Sequence, residues 1–272
     1  MNRFVTRYIR TLPDLSNKIV LDIPCGDGRA SYEFEKKGAT VKAFDMFPEF
    51  MQLKTINAEY ADLSKTLPLK DNSVDYIICQ EGIEHVSDQL KVLQEFNRVL
   101  KKEGLLLLTT PNYSHLRARL SRFIFESDYW KRMPPSEIDS IWFSENDSTN
   151  IYFGHLFMVG VQKLQTLSTI TGFTVTKRIK TDIRNTSFVL GILLYPLLFV
   201  LSYLCYFLYR KENENVAQEQ KDKVFKERIK LNLAPETLFG RNTFWILKKE
   251  LSNEETVAKL KSLMYVGIVP NT

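Results

Sequence analysis

An α/β fold wound on both faces of a mostly parallel sheet is what this sequence predicts, on three observations. Residues 19–34 run Ile-Val-Leu-Asp, pass through Gly26 and Gly28, and enter Arg29-Ala-Ser-Tyr-Glu-Phe, which reads as strand, glycine turn and helix. Short apolar runs then alternate with amphipathic stretches as far as Thr109, the rhythm of strands joined by crossover helices. Three of the runs close on an acid, at Asp22, Asp45 and Asp62.

The glycine turn carries the first functional signal. Glycine lets the backbone bend sharply and approach a ligand with no Cβ in the way, and free N–H groups at a helix start favour negative charge. Alone, the turn fits an ordinary βα connection as well as a nucleotide, flavin or nicotinamide site. Asp45 stands at the end of the second strand, where a carboxylate meets ribose hydroxyls in dinucleotide folds.

Taken in order, residues 1–16 form a short helix with Phe4, Ile9 and Leu12 available for packing, expected to cover the edge of the cofactor site. The helix from Arg29 stops at Gly38. Thr40 to Asp45 is the second strand and Ala58 to Tyr60 the third; Glu49 to Lys54 makes a helical turn between them. Val74 to Cys79 is an uninterrupted run of the kind found in buried parallel strands. Ser87 to Lys101 is amphipathic, with Leu90, Leu93, Phe96, Val99 and Leu100 at helical spacing. Gly104 ends it, and Leu105 to Thr109 is a fifth strand. Beyond Asn112 the pattern loosens. Leu116, Leu120, Phe123 and Ile124 share one helical face, while Arg117, Arg119 and Arg122 lie on others, either as a solvated face or as a lid meeting an anionic substrate or lipid headgroups. A helix at Gln162 to Thr171 capped by Gly172 and a β-branched strand at Phe173 to Ile179 follow.

The 272 residues, 44% of them hydrophobic, are enough for a sizeable core. A net charge of +5 is too mild to argue for nucleic acid, and no basic run has aromatics interleaved. Cys25, Cys79 and Cys205 lack the paired spacing of a metal or redox motif and read as reduced thiols of a cytosolic protein. Residues 1–15 are charged throughout, so no secretory signal is expected there.

Six ordered segments together narrow the reading: residues 21–28 (LDIPCGDG), 43–45 (AFD), 61–63 (ADL), 74–86 (VDYIICQEGIEHV), 96–112 (FNRVLKKEGLLLLTTPN) and 154–173 (GHLFMVGVQKLQTLSTITGF). In these the chain resembles the class I S-adenosylmethionine (SAM)-dependent methyltransferases, in the branch that also contains the quinone-biosynthesis O-methyltransferases. The resemblance implies a Rossmann-like, seven-stranded, mostly parallel sheet with an antiparallel last strand, matched here by 238–249. It implies that Asp22 and the turn from Pro24 through Gly26 to Gly28 hold the methionine part of SAM, Asp45 the ribose, and Asp62 and Leu63 the adenine. Gln80 and Glu81 would flank the sulfonium. Glu81, Glu84 and His85 are similar to the acidic and histidine cluster with which quinone-type enzymes hold a divalent cation. The family has glycine where this chain has Pro24, and proline fixes φ and lacks an N–H.

Methyl transfer to a hydroxyl needs a base or a metal to accept the proton, which leaves His85 and His155 as candidates; His115 is expected at the surface. Each of the two has an ordinary alternative, a helix-capping histidine for His85 and a packed one for His155. Ser187 to Tyr209 contains no charge, has Arg184 before it and Arg210-Lys211 after it, and carries Pro196 near its middle. By length and polarity it qualifies as a membrane span. If 238–249 rejoins the sheet, one crossing would separate strand partners by a bilayer, so a kinked or broken helix in one leaflet is expected; a packed helix, an oligomer interface or a true span are the alternatives.

The expected organisation is a core at 1–182 with a lid at 112–153, a hydrophobic membrane-associating insertion at 183–237, and a last strand and terminal helix at 238–272. The expected activity is SAM-dependent methylation, O-directed, of a lipid-linked or small-molecule acceptor such as a polyprenyl-linked glycan precursor or a quinone-like ring, at the cytoplasmic membrane face. A catalytically silent methyltransferase fold acting as a membrane scaffold and a nicotinamide-dependent oxidoreductase are the competing functions.

Overall fold

The structure, a computed structural model, describes residues 2–127, 136–144, 147–210, 212 and 216–263. Parts of the expected lid at 128–135 and 145–146, of the insertion at 211 and 213–215, and of the C-terminal segment at 264–272 lie outside the described residues. In chain order the elements are α1 (Arg3–Thr11), β1 (Ile19–Asp22), α2 (Arg29–Glu35), β2 (Thr40–Asp45), β3 (Ala58–Tyr60), β4 (Val74–Gln80), α3 (Gln89–Val99) and β5 (Leu100–Pro111). Then come α4 (Leu116–Phe125), α5 (Glu137–Ser140), β6 (Ile141–Ser144), β7 (Asp147–Phe153), α6 (Val161–Ile170) and β8 (Phe173–Arg178). The chain finishes with α7 (Asn185–Tyr209), α8 (Gln218–Leu233), α9 (Pro235–Phe239), β9 (Asn242–Lys249) and α10 (Asn253–Leu263).

Seven strands form one sheet in the order β3-β2-β1-β4-β5-β9-β8. The first five pair in parallel, and β9 lies antiparallel to both β5 and β8. Strand alternation explains why the apolar runs are continuous: successive side chains leave opposite faces, and both faces are covered. Ile77, Leu106 and Leu108 join α3 and α6 on one face, while Ile78 and Leu107 join α1 and α2 on the other.

The sequence placed α1 at the edge of the cofactor site; the structure places it on the second face of the sheet. Its Phe4, Val5 and Ile9 pack with Phe34, Phe244 and Ile246, and Arg10 pairs with Glu33 at 2.8 Å. That face is too broad for α2 alone, and α1 completes its cover. Leu90 is turned outward on α3, whose core residues are Val92, Leu93, Phe96 and Val99. The fifth strand is longer than its leucine run, starting at Leu100 and containing Gly104. Where the pattern loosened, β6 and β7 make a separate antiparallel hairpin. On α4 it is Leu116, Ala118 and Ser121 that are buried; Phe123 is 88% exposed and Ile124 lies half in solvent.

The last strand rejoins the sheet as the resemblance implied, so everything between β8 and β9 is an excursion that must return. The helix α7 is continuous through Pro196 rather than broken there. Only Ser187 and Gly191 are buried on it. A Cβ at Gly191 would lie 2.5 Å from the Phe239 ring and 3.5 Å from Leu116, so this glycine is what lets α7 approach α9 and α4. Beyond it, α8 folds back beside the second half of α7. Asn232 donates to the Ser202 hydroxyl at 3.0 Å, Phe225 meets the rings of Tyr206 and Tyr209, and Arg210 reaches Asp222 at 3.5 Å. Ile229, Leu231 and Leu233 dock into the core.

Four consecutive residues after β5 fasten four different elements. Asn112 donates through Nδ2 to the carbonyls of Thr237 and Gly240, both at 2.9 Å, holding α9. The Tyr113 carbonyl accepts from Arg122 on α4, and the Ser114 hydroxyl accepts the first N–H of α6, from Val161, at 3.0 Å. His115 caps α4 through the Ala118 N–H and reaches Ser187 of α7 at 3.2 Å. His115 is therefore buried, not at the surface, because it is the link between two helices. Asn112→Ala leaves buried carbonyls without donors; we expect a loss of about 1 to 3 kcal/mol, read as a lower urea midpoint with an unchanged slope.

Candidate functional site

The glycine turn lies at the carboxyl ends of the parallel strands. Gly26 and Gly28 adopt φ of +50° and +83°, the left-handed region that side chains disfavour. A Cβ on Gly28 would also meet the Met51 sulfur at 2.3 Å. Asp45 organises the turn from the neighbouring strand: Oδ2 accepts the Gly26 N–H at 2.8 Å and Oδ1 the Phe47 N–H at 2.9 Å. The proline in place of the family's glycine is accommodated, since the turn is closed by Cys25 N–H to Phe44 O and Gly28 N–H to Cys25 O, neither of which needs a donor at Pro24.

A cleft of about 390 Å³ opens beside the turn, within the range of small-molecule and cofactor sites. Of the expected cofactor residues, Pro24, Asp45, Asp62, Leu63 and Glu81 line it. Asp62 is fixed by the Ser64 N–H and hydroxyl, at 2.8 and 2.7 Å. Asp22, Gly26, Gly28 and Gln80 do not line it. The hairpin of β6 and β7 roofs the cleft with Trp142 and Tyr152, stacked at 4.8 Å, each about 5 Å from the Phe47 ring, at 5.1 and 5.0 Å. Sequence reasoning passed over Phe47, Trp142 and Tyr152; the aromatic spacing of 141–153 was the available signal.

Three acids at this edge differ in their surroundings. Asp22 is fully buried, with Oδ2 accepting the Ser31 hydroxyl at 2.6 Å and Oδ1 without a hydrogen-bond partner. Burial pushes its pKa up to about 7, against the pull of the Ser31 hydroxyl. An orphaned carboxylate oxygen beneath a glycine turn suits an ammonium, so the residues present fit the amino-acid end of SAM. Glu81 accepts from Thr109 and Asn242, at 3.1 and 3.2 Å, and burial raises its pKa. Glu84 accepts from Thr110 at 3.0 Å, its other oxygen has no partner, and burial together with the Glu81 charge pushes its pKa up to about 8.

His85 points Nδ1 at the Phe153 carbonyl, 2.7 Å away. A carbonyl can only accept, so Nδ1 carries the proton and Nε2 is left as the acceptor. Its ring meets His155 edge-on at 5.0 Å, and burial, followed by the His85 charge, lowers the pKa of His155. The expected metal group of Glu81, Glu84 and His85 does not form as such. One donor atom from each of Glu84, His85 and His155 lies within 4.8 Å of the others, while Glu81 is turned away toward Thr109 and Asn242.

Residues 21–108 match the family described as "Methyltransferase domain". These residues carry the glycine turn, Asp45 and Asp62, so the match falls on the part of the chain that builds the cleft. The ubiquinone biosynthesis O-methyltransferase of Xanthomonas oryzae pv. oryzae (strain PXO99A) is 28% identical over 137 residues, 47% of this chain and 56% of that protein. Its counterpart in Actinobacillus pleuropneumoniae serotype 5b (strain L20) is 33% identical over 111 residues, 36% and 47% of the two chains. The chain thus spans about half the length of the curated relatives it matches. A SAM-dependent methyltransferase structure from Archaeoglobus fulgidus shares the fold at a TM-score of 0.51 and 18% identity, over 90% of this chain and 92% of that one. One from Mesorhizobium loti does so at 0.50 and 14%, over 89% and 95%.

Asp45→Ala removes a carboxylate that both shapes the turn and faces the cleft. Hydrogen bonds to charged groups contribute about 1.5 to 3 kcal/mol, so calorimetry should find S-adenosylhomocysteine bound roughly tenfold or more weakly. For Glu84 the folded pKa lies above the unfolded 4.5. The folded state therefore holds its proton more tightly, and the associated stability is full below 4.5 and lost as pH rises through about 8. Glu84→Gln keeps an acceptor for Thr110 and removes the titration. Denaturant melts at the two ends of that window should show the variant gaining on the parent as pH rises.

Proposed function

We propose that the protein transfers the methyl group of SAM to a hydroxyl of a membrane-borne or lipid-linked acceptor, a glycan precursor or quinone-like ring, at the cytoplasmic face of a membrane. The observation that carries the reading is the histidine pair at the mouth of the cofactor cleft, on the sheet edge where the apolar helix α7 also docks. When bound, SAM supplies an electrophilic methyl and a sulfonium that leaves readily. What remains for the chain is to align three atoms and to take one proton; orientation contributes roughly 7 to 11 kcal/mol in well-aligned systems. Asp45, Asp62 and the turn position the nucleoside and the amino-acid end. The Phe47, Trp142 and Tyr152 rings exclude water from above. His85 Nε2 accepts the proton as the new O–CH3 bond forms and the C–S bond breaks, and His155, edge-on to it at 5.0 Å, packs against the ring that takes it. Two intact histidines beside an ordered cleft favour this reading over a silent scaffold.

The membrane part rests on α7. Its 25 residues extend about 37 Å at 1.5 Å each, enough to cross a bilayer, and Phe188, Ile192, Leu193, Val200, Phe207 and Leu208 are each more than half exposed. Soluble monomers rarely leave so continuous an apolar surface in water. A crossing would carry α8 into hydrocarbon with it, including Lys221, Asp222, Lys226, Glu227, Arg228 and Lys230, and charges there are costly. An α7 lying along one leaflet keeps its apolar side in lipid and α8 in water. The arrangement supports a monotopic, in-plane placement over a single-pass span.

A second reading is favoured by the grouping of Glu84, His85 and His155, whose donor atoms would suit a divalent cation that orients the acceptor. Activity that survives exhaustive chelation would remove the metal and leave the histidine base.

The test is to incubate the full chain with methyl-labelled SAM and a total lipid extract. Label is expected in the organic phase, and His85→Ala should lower its rate by about 10²- to 10⁴-fold with S-adenosylhomocysteine affinity retained. Label recovered only in water-soluble products would overturn the lipid acceptor. In parallel, Ile192→Gln, Leu193→Gln and Val200→Gln combined should move the protein from the membrane pellet to the soluble fraction.

A further inference from the structure

The N-terminal ends of α4 and α7 meet, and the junction is strongly positive. His115, the N-cap of α4, bonds to Ser187 in the first turn of α7. Each helix points its partial positive charge at this place, and neither has an acidic residue in its first turn. Arg117, Arg119 and Arg122 project from α4, and Arg184 is the N-cap of α7. Together with burial, these four guanidinium groups drive the His115 pKa down to about 3, leaving the imidazole neutral.

Among the described residues no carboxylate forms a salt bridge with Arg117, Arg119 or Arg122. Arg119 and Arg122 are held in place instead by neutral partners, the Ser114 and Tyr113 carbonyls at 2.6 and 2.9 Å, and Arg122 lies over the Tyr113 ring at 3.7 Å. The Nε of Arg122 is a buried donor with no hydrogen-bond partner. Directly beyond the cluster runs the exposed apolar surface of α7, and on α4 itself Phe123, Ile124 and Phe125 are exposed.

We propose that this junction binds the anionic phosphate headgroups of a bilayer, the arginines meeting phosphates while α7 and the end of α4 enter the acyl layer. The inference rests on the membrane reading above and adds to it the class of lipid and the orientation. Because His115 follows Asn112 and the Thr109 and Thr110 partners of Glu81 and Glu84, the headgroup site and the catalytic edge are joined by a few residues of one chain segment. Charge complementarity selects the occupant: a second copy of this chain would bring its own arginines to the contact, whereas an anionic leaflet brings phosphates to all of them.

The test is flotation of the full-length protein with vesicles of phosphatidylcholine alone or of equal parts phosphatidylcholine and phosphatidylglycerol, with S-adenosylhomocysteine affinity as the control for folding. The parent should prefer the anionic vesicles and lose the preference at high salt. Each basic residue near such a surface is worth roughly a fivefold change in partition, so Arg117→Gln with Arg122→Gln should lower anionic binding roughly tenfold or more. Binding to neutral vesicles should stay unchanged. A second variant, Arg117→Glu alone, leaves the Tyr113 contacts in place and should act in the same direction. Equal binding to both vesicle types, unaffected by the substitutions, would overturn the headgroup site and leave membrane docking by α7 standing. No vesicle binding at all, with a dimer in solution, would overturn both.

Discussion

The backbone ladder between β5 and β9 constrains everything that lies between them. Seven residue pairs, from Leu105 with Lys248 to Pro111 with Asn242, fix the last strand inside the sheet, where β5 and β8 hold it on both sides. The long excursion through α7, α8 and α9 must therefore begin and end on the same side of any surface it touches. The charged helix α8 is the return leg of that excursion, and its pairing with the second half of α7 turns an apolar helix with the length of a membrane span into one side of a hairpin.

At the carboxyl ends of the parallel strands three buried titratable groups are held toward their neutral forms. Glu84 and Asp22 have no cationic side chain as hydrogen-bond partner, and burial raises both pKa values, to about 8 and about 7. His115 is pushed the other way, toward its neutral form. Desolvation dominates all three, so each group is held near the uncharged state. Holding these groups near neutral avoids the cost of buried, uncompensated charge.

Most of the fold was legible because alternating strands and helices leave a strong periodic trace. The runs at Val74 to Cys79 and Leu105 to Leu108 became central strands, and the glycine turn, Asp45 and Asp62 came together as read. Three kinds of feature were not legible. The role of α1 depends on which sheet face lacks cover, a tertiary fact that its own residues do not encode. Glu81 and Glu84 sit in one short segment, yet only the fold turns Glu81 to Thr109 and brings His155, seventy residues along from His85, to the other side. His115 has the composition of a surface loop residue, and its burial follows from the arrival of Ser187 from far along the chain.

The segment from Asn112 to His115 has a consequence for how this chain could change. Each of its four residues grips a different element: α9, α4, the start of α6 and α7. Four consecutive positions with four separate obligations cannot be lengthened or shortened by one without shifting all of them by a residue. Length variation in relatives of this architecture should therefore accumulate on either side of the segment, in the hairpin that follows α4 and in the turn between α7 and α8. The four residues themselves would keep their spacing while the hairpins they hold are exchanged.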